Sequence, residues 1–126
     1  MVNVSGERVA PTGTVGVPRG SPRATLTDSE AHSATTDINS LEYTLVRNAT
    51  RGPVFYVHDT IAGTAKVQRK NKAGTWQDLE TGFAVAANTL TKIDITYVVR
   101  TTRVVFTPGA STAATLIIEV EAQGDS

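Results

Sequence analysis

The chain of 126 residues contains no cysteine, one tryptophan and two histidines. Without cysteine it forms no disulfide, offers no thiolate nucleophile and has no cysteine ligand for zinc. The two histidines, His32 and His58, are too few for an all-histidine metal site. We therefore expect a protein that is not an enzyme, with no catalytic residue, no metal site and no cofactor.

The sequence also lacks an excess of charge and a long hydrophobic run. Lysine plus arginine and aspartate plus glutamate both number 12, so no net field attracts nucleic acid or an anionic membrane. No window approaches the roughly 18 apolar residues of a membrane span, and no basic segment followed by an apolar one marks a signal peptide. We expect a soluble cytosolic protein that binds neither nucleic acid nor membrane.

Threonine, by contrast, occurs 20 times and recurs within nearly every apolar stretch. β-Branched residues favour strands. From Leu41 onward, apolar stretches alternate with turn residues at intervals of about 8 to 12 residues, the spacing of an antiparallel sandwich or barrel. The sequence predicts an all-β protein, a single antiparallel β-sandwich of jelly-roll or immunoglobulin-like type with an extended N-terminal arm. The predicted strands are 41–47, 54–58, 64–70, 76–79, 83–87, 90–97, 103–107 and 115–123.

Alternation within these strands separates a core face from a solvent face. In the last strand, Leu116 and Ile118 point inward, whereas Glu119 and Glu121 point outward. A domain of this size buries only about two thirds of its unfolded surface, so we expect a homo-oligomer. The predicted core consists of Tyr43, Leu45, Phe55, Val57, Val67, Trp76, Leu79, Phe83, Val85, Ile93, Ile95, Val104, Phe106, Ile118 and Val120.

The first 39 residues differ in composition from the rest. They contain no aromatic residue and no apolar run of strand length, so they cannot bury enough apolar surface to order themselves. Two interpretations stay open: a disordered leader, or an arm that becomes ordered on another subunit and reaches about 120 Å at about 3.3 Å per residue. We favour the arm and predict two domains, 1–39 and 40–126. The predicted partner-binding residues are the isolated valines Val2, Val4, Val9, Val15 and Val17.

One stretch of the arm has helical potential. Within residues 26–34, Thr27 or Asp28 can cap a turn that contains Glu30 near its start. The stretch has little apolar periodicity, so we expect at most one or two helical turns.

Candidate chemistry is sparse in the sequence. The carboxylate pairs Asp78 with Glu80 and Glu119 with Glu121 are spaced as solvated strand positions rather than as an acid and base facing one cleft. We expect His58, at a strand end, to bond a loop carbonyl. Neither a Gly-x-Ser-x-Gly nucleophile motif nor a phosphate-binding glycine motif is present.

Two surface features have alternative interpretations. Lys66, Arg69, Lys70 and Lys72 form a basic cluster that can contact phosphate or an acidic surface, although lysine on an exposed strand also prevents edge-to-edge aggregation. Trp76 is either a sugar-stacking platform or a core residue at the end of the sandwich. We favour protection of the strand for the lysines and core packing for the tryptophan.

Four runs of residues carry a resemblance to a known group of proteins. They are AKVQR at 65–69, GTWQDL at 74–79, VRTTRVVFT at 99–107 and LIIEVE at 116–121. Their order resembles that of small all-β structural proteins of tailed bacteriophages. In particular, it is similar to capsid decoration (cement) proteins and to short tail-associated proteins. The resemblance covers a little over half of the chain.

The resemblance implies a virion structural protein that is assembled in the host cytoplasm. Its expected partner is the major capsid protein lattice, which the arm clamps so that the shell is stabilised. The resemblance also implies trimers on local threefold axes. A protein associated with the tail, neck or fibre is the main alternative. A carbohydrate-binding adhesion module is the more remote alternative.

Overall fold

The computed structural model describes residues 14–16, 23–45 and 51–121. These residues form ten β-strands and no helix, so none of them belongs to a helix that is able to cross a membrane. The strands are β1 (Thr14–Gly16), β2 (Arg23–His32), β3 (Ile38–Asn39), β4 (Glu42–Thr44), β5 (Val54–Asp59), β6 (Gly63–Lys70), β7 (Trp76–Val85), β8 (Thr91–Asp94), β9 (Thr101–Pro108) and β10 (Ala114–Glu121).

The strands form two sheets that pack face to face. Sheet I contains β1, β4, β9, β6 and β7 in spatial order, and β3 also pairs with β9. Sheet II contains β2, β10, β5 and β8. Among the described strands β1 and β4 pair in parallel, and the other pairs are antiparallel. The predicted antiparallel β-sandwich is confirmed.

Alternating side chains from the two sheets form one hydrophobic core. Leu116, Ile118 and Val120 of β10 are buried while the residues between them are half-buried, as predicted. Fully burying a side chain of this kind stabilises the fold by about 1.5–3 kcal/mol. The prediction is also confirmed for Tyr43, Leu45, Phe55, Val57, Val67, Val85, Ile93, Ile95, Val104 and Phe106.

Strand β7 replaces the two predicted strands 76–79 and 83–87. Its pairing with β6 contains two register shifts, and Gly82 adopts a φ of 83° close to them. Glycine reaches such a φ without steric cost, so the strand bulges instead of ending. Leu79 and Phe83, predicted in the core, are only partly buried against it. Both lie in this irregular edge strand.

Strand β2 corrects the predicted domain boundary. It pairs with β10 along its length, and Leu26 is buried to 1% exposure in the core, so the sandwich begins near residue 23 rather than 40. The predicted helical turn at 26–34 is also wrong, because residues 26–32 belong to strand β2 and no helix follows them. Two register shifts and a φ of 48° at Ser29 bury Leu26 and Thr27 in succession, which removes the period of two.

Strand β1 shows that part of the predicted arm contacts its own sheet. Val15, one of the predicted partner-binding valines, pairs through its backbone with Tyr43 of β4. The other four, Val2, Val4, Val9 and Val17, lie outside the described residues, as do residues 1–13 and 17–22. The arm prediction is therefore wrong for 23–39 and for 14–16, which pair with strands of the same chain, and it stays a prediction for 1–13 and 17–22.

Candidate functional site

Polar side chains converge on the outer face of sheet I. Because alternation in β6 buries Ala65 and Val67, it directs Lys66, Gln68 and Lys70 to the opposite face. The neighbouring strands β9 and β7 bring further side chains to the same surface through the register of their pairing. We call this surface the outer-face cluster; it comprises Glu42, Lys66, Gln68, Lys70, Trp76, Asp78 and Arg103.

The turn between β6 and β7 places Trp76 in this cluster. The Asn71 side-chain oxygen accepts hydrogen bonds from the backbone N–H groups of Ala73 and Thr75, both at 2.9 Å. Gly74 has a φ of 87°, a conformation that costs glycine little, and its N–H donates to the Asn71 carbonyl at 2.9 Å. The turn pairs Trp76 with Lys70, an outward-facing residue.

Trp76 lies against two cations. The guanidinium carbon of Arg103 is 4.3 Å from the centroid of the tryptophan ring, and Lys70 Nζ is 5.8 Å from it. Both are within the range of a cation–π attraction. Trp76 is half-buried and is absent from the core cluster. Its predicted position in the core is wrong because the turn sets it on the outer side of β7.

A chain of hydrogen bonds fixes Arg103 and its neighbours. Arg103 Nε donates to Gln68 Oε1 at 2.9 Å, and Gln68 Nε2 donates to Asp78 Oδ1 at 2.9 Å. The hydrogen bonds from Gln68 and Lys66 lower the pKa of the Asp78 carboxyl. Partial burial lowers the pKa of Arg103, and the charge of Glu42 opposes that shift. The hydrogen bond to Gln68 thus holds the guanidinium in place.

The predicted basic cluster is divided by the structure. Lys66 Nζ pairs with Asp78 Oδ1 at 3.1 Å, and Lys70 Nζ pairs with Glu42 Oε2 at 3.3 Å. Arg69 and Lys72 are exposed, and neither forms an ion pair within the described residues. The four residues therefore do not present one continuous positive surface, and a contact with phosphate or an acidic partner stays a prediction.

A cleft opens beside Trp76 and Arg103, with a volume of about 270 Å³. The rest of its lining comes from β2, from residues 37–40, which include β3, and from the first residue of β4. Asp37 accepts a hydrogen bond from Thr107 Oγ1 at 2.6 Å. The remaining lining residues are Glu30, Ile38, Asn39, Ser40 and Glu42. The sequence did not indicate this cleft, because the strand that carries Glu30 was not predicted.

A second polar pair lies inside the sandwich. His32 Nε2 is 2.5 Å from Asp59 Oδ2, and the two side chains are only 7% and 0% exposed. Asp59 Oδ1 also accepts a hydrogen bond from the Ile61 N–H at 2.9 Å. His32 and Asp59 lie on the strands that flank β10, so their contact ties edge strand β2 to β5. Its burial gives it a structural role.

The other residues considered for chemistry lie apart from one another. Glu121 accepts a hydrogen bond from the Tyr56 hydroxyl at 2.8 Å, and Glu80 accepts one from the Tyr97 hydroxyl at 2.6 Å. His58 is half-buried in β5 opposite Ile117, and the predicted bond to a loop carbonyl is not found within the described residues. Within those same ranges, no group of three or more histidines and carboxylates could hold a metal ion.

No protein-family model matches the sequence, and neither does any curated protein.

Proposed function

We propose that this protein is a capsid decoration protein of a tailed bacteriophage, a non-enzymatic virion component that binds the major capsid protein lattice and stabilises the shell. The residue runs that resemble such proteins support the proposal. They fall on β6, on the β6–β7 hairpin, on the segment that contains β9, and on β10. Of these elements β6, β9 and β10 are inner strands and β7 is an edge strand, and together they carry most of the outer-face cluster.

The observation that carries the proposal is the way β1 joins sheet I. Three residues ahead of the sandwich, Thr14–Gly16, add a parallel strand to the edge formed by β4. Pairing of this kind uses backbone groups and depends little on side-chain identity, so it is a common mode of recognition between chains. The β4 edge is filled by β1 of the same chain, so the equivalent contact between neighbouring subunits forms by exchange of this segment between copies.

The mechanism that we propose is mechanical. The segment ahead of β2, with Val2, Val4, Val9 and Val17, buries apolar surface across subunit boundaries while the sandwich rests on the shell. Each contact is weak by itself, but a lattice presents many copies, and binding to the assembled form stabilises that form by mass action. A homo-oligomer, with a trimer as the first candidate, would multiply the contacts further.

Deletion of residues 2–22 tests this proposal. The deletion ends before Arg23 because β2 is part of the sandwich. We expect the truncated protein to remain folded, as judged by circular dichroism, and to lose occupancy on purified shells together with their added heat resistance.

A second variant carries residues 2–13 in scrambled order, so that length and composition are unchanged. Because the mechanism depends on the spacing of the valines, we expect this variant to bind poorly as well. Undiminished occupancy and unchanged heat resistance of shells with the truncated protein would contradict the proposal. Antibody labelling at the tail or neck instead of the shell would favour the alternative location.

A further inference from the structure

We propose that the cleft beside Trp76 binds a neutral sugar ring of a glycan. This inference does not rest on the proposed role in the capsid, because it depends only on the outer-face cluster and on the cleft. The cleft combines one aromatic platform with a set of hydrogen-bonding groups held at fixed positions.

The platform is Trp76, which is supported from one side. Arg103 stacks on the ring at 4.3 Å and is itself tied to Gln68 at 2.9 Å. A tryptophan held in this way loses little conformational freedom when a ligand packs on it, which favours binding. The C–H face of a pyranose ring is a flat apolar surface of the size that packs against an indole.

The charges around the cleft disfavour an anionic ligand. Three carboxylates, those of Glu30, Asp37 and Glu42, line it and repel an anion. The ring of Trp76 already contacts two cations, because Arg103 and Lys70 lie 4.3 and 5.8 Å from its centroid. A neutral ligand that packs on the ring meets no repulsion from these groups or from the carboxylates.

Hydroxyl groups match the hydrogen-bonding capacity of the lining. Carboxylates only accept hydrogen bonds, a guanidinium only donates them, and the Asn39 amide does both. A ligand that satisfies all three must carry donors and acceptors close together around an apolar face, which describes a sugar. The volume of about 270 Å³ lies just below the roughly 300 Å³ at which pockets for drug-sized molecules begin, so one or two rings fit.

The single tryptophan makes a direct titration possible. Its fluorescence reports on Trp76 alone, since the sequence contains no other tryptophan. The probes are neutral trisaccharides of glucose, galactose, mannose and N-acetylglucosamine, each added up to about 10 mM, which covers the millimolar Kd range of weak binders. We expect at least one of them to change the emission saturably.

Variants then locate the site by calorimetry with the same trisaccharide. Trp76→Ala and Asn39→Ala should each weaken binding at least about tenfold, and circular dichroism checks that both fold. Tyr97→Ala is the matched control, because Tyr97 is another partly exposed aromatic residue, at 44% exposure, and does not line the cleft. It should bind as the unaltered protein does.

Two results would overturn the inference: no saturable response to any probe, or binding that survives Trp76→Ala. Neither result bears on shell occupancy, which is measured with the protein that lacks residues 2–22. The two proposals can therefore fail separately.

Discussion

Replacing His32 by alanine tests how firmly β2 is attached to the sandwich. The substitution removes the partner of Asp59 Oδ2 while the carboxylate remains buried. It also removes the edge-to-face contact between the His32 and Phe106 rings, whose centroids are 6.1 Å apart. Strand β2 would then be held mainly by its backbone pairing with β10 and by Leu26.

The expected loss is large for a domain of this size. Removing one partner of a buried hydrogen bond costs about 1–3 kcal/mol, because the oxygen that remains is left without a partner in the interior. Small domains have free energies of unfolding of about 5–15 kcal/mol, so His32→Ala removes a substantial part of the stability. Asp59→Asn should cost less, about 1–2 kcal/mol, because the amide oxygen can still accept the hydrogen bond from Ile61.

Urea unfolding followed by far-ultraviolet circular dichroism measures both losses. Amide hydrogen exchange adds a local measurement, and exchange in β2 should accelerate more than exchange in β6. His58→Ala is the matched control, since the side chain of this half-buried histidine forms no hydrogen bond or ion pair within the described residues. It should change stability by less than about 1 kcal/mol. A loss below about 1 kcal/mol for His32→Ala would refute the argument that the buried pair anchors β2.

Three further substitutions have defined outcomes. Burial raises the pKa of Tyr43 to about 12, so the unfolded chain loses the hydroxyl proton at a lower pH than the folded protein does. The free energy of unfolding should therefore fall by up to about 2.7 kcal/mol as pH rises from 10 to 12. Urea unfolding of Tyr43→Phe should lack this fall. A Cβ on Gly52 would overlap the carbonyl oxygens of Ile95 and Tyr97. Gly52→Ala should therefore reduce the free energy of unfolding by about 1–3 kcal/mol, which a lower thermal midpoint would show. Arg103→Ala should shift Trp76 emission to the red while lowering stability by less than about 1 kcal/mol.

Much of the core was predictable because strands such as β6 and β10 keep a period of two. In β10, every second residue from Leu116 to Val120 is apolar and buried, so the pattern alone identifies the strand and its inner face. The same holds for β6, where Ala65 and Val67 alternate with polar residues. Regular alternation is a local property, and the sequence displays it directly.

The edge strand and the site were not predictable for a related reason. The bulges in β2 bury Leu26 next to Thr27, so the period that would identify a strand is lost. Without β2, neither the contact of His32 with Asp59 nor the cleft near Glu30 could be inferred. The side of the sheet that Trp76 occupies depends on the conformation of the preceding turn, which the residue types narrow down but do not determine.

We have proposed that this sandwich is a component of the virion surface of a tailed bacteriophage, and cosedimentation of the purified protein with purified shells of that phage tests this central claim. The account predicts that binding saturates at a fixed number of copies per copy of the major capsid protein, and that bound shells withstand higher temperatures than bare ones. Protein that stays in the supernatant at every concentration, with shells that melt unchanged, would contradict it.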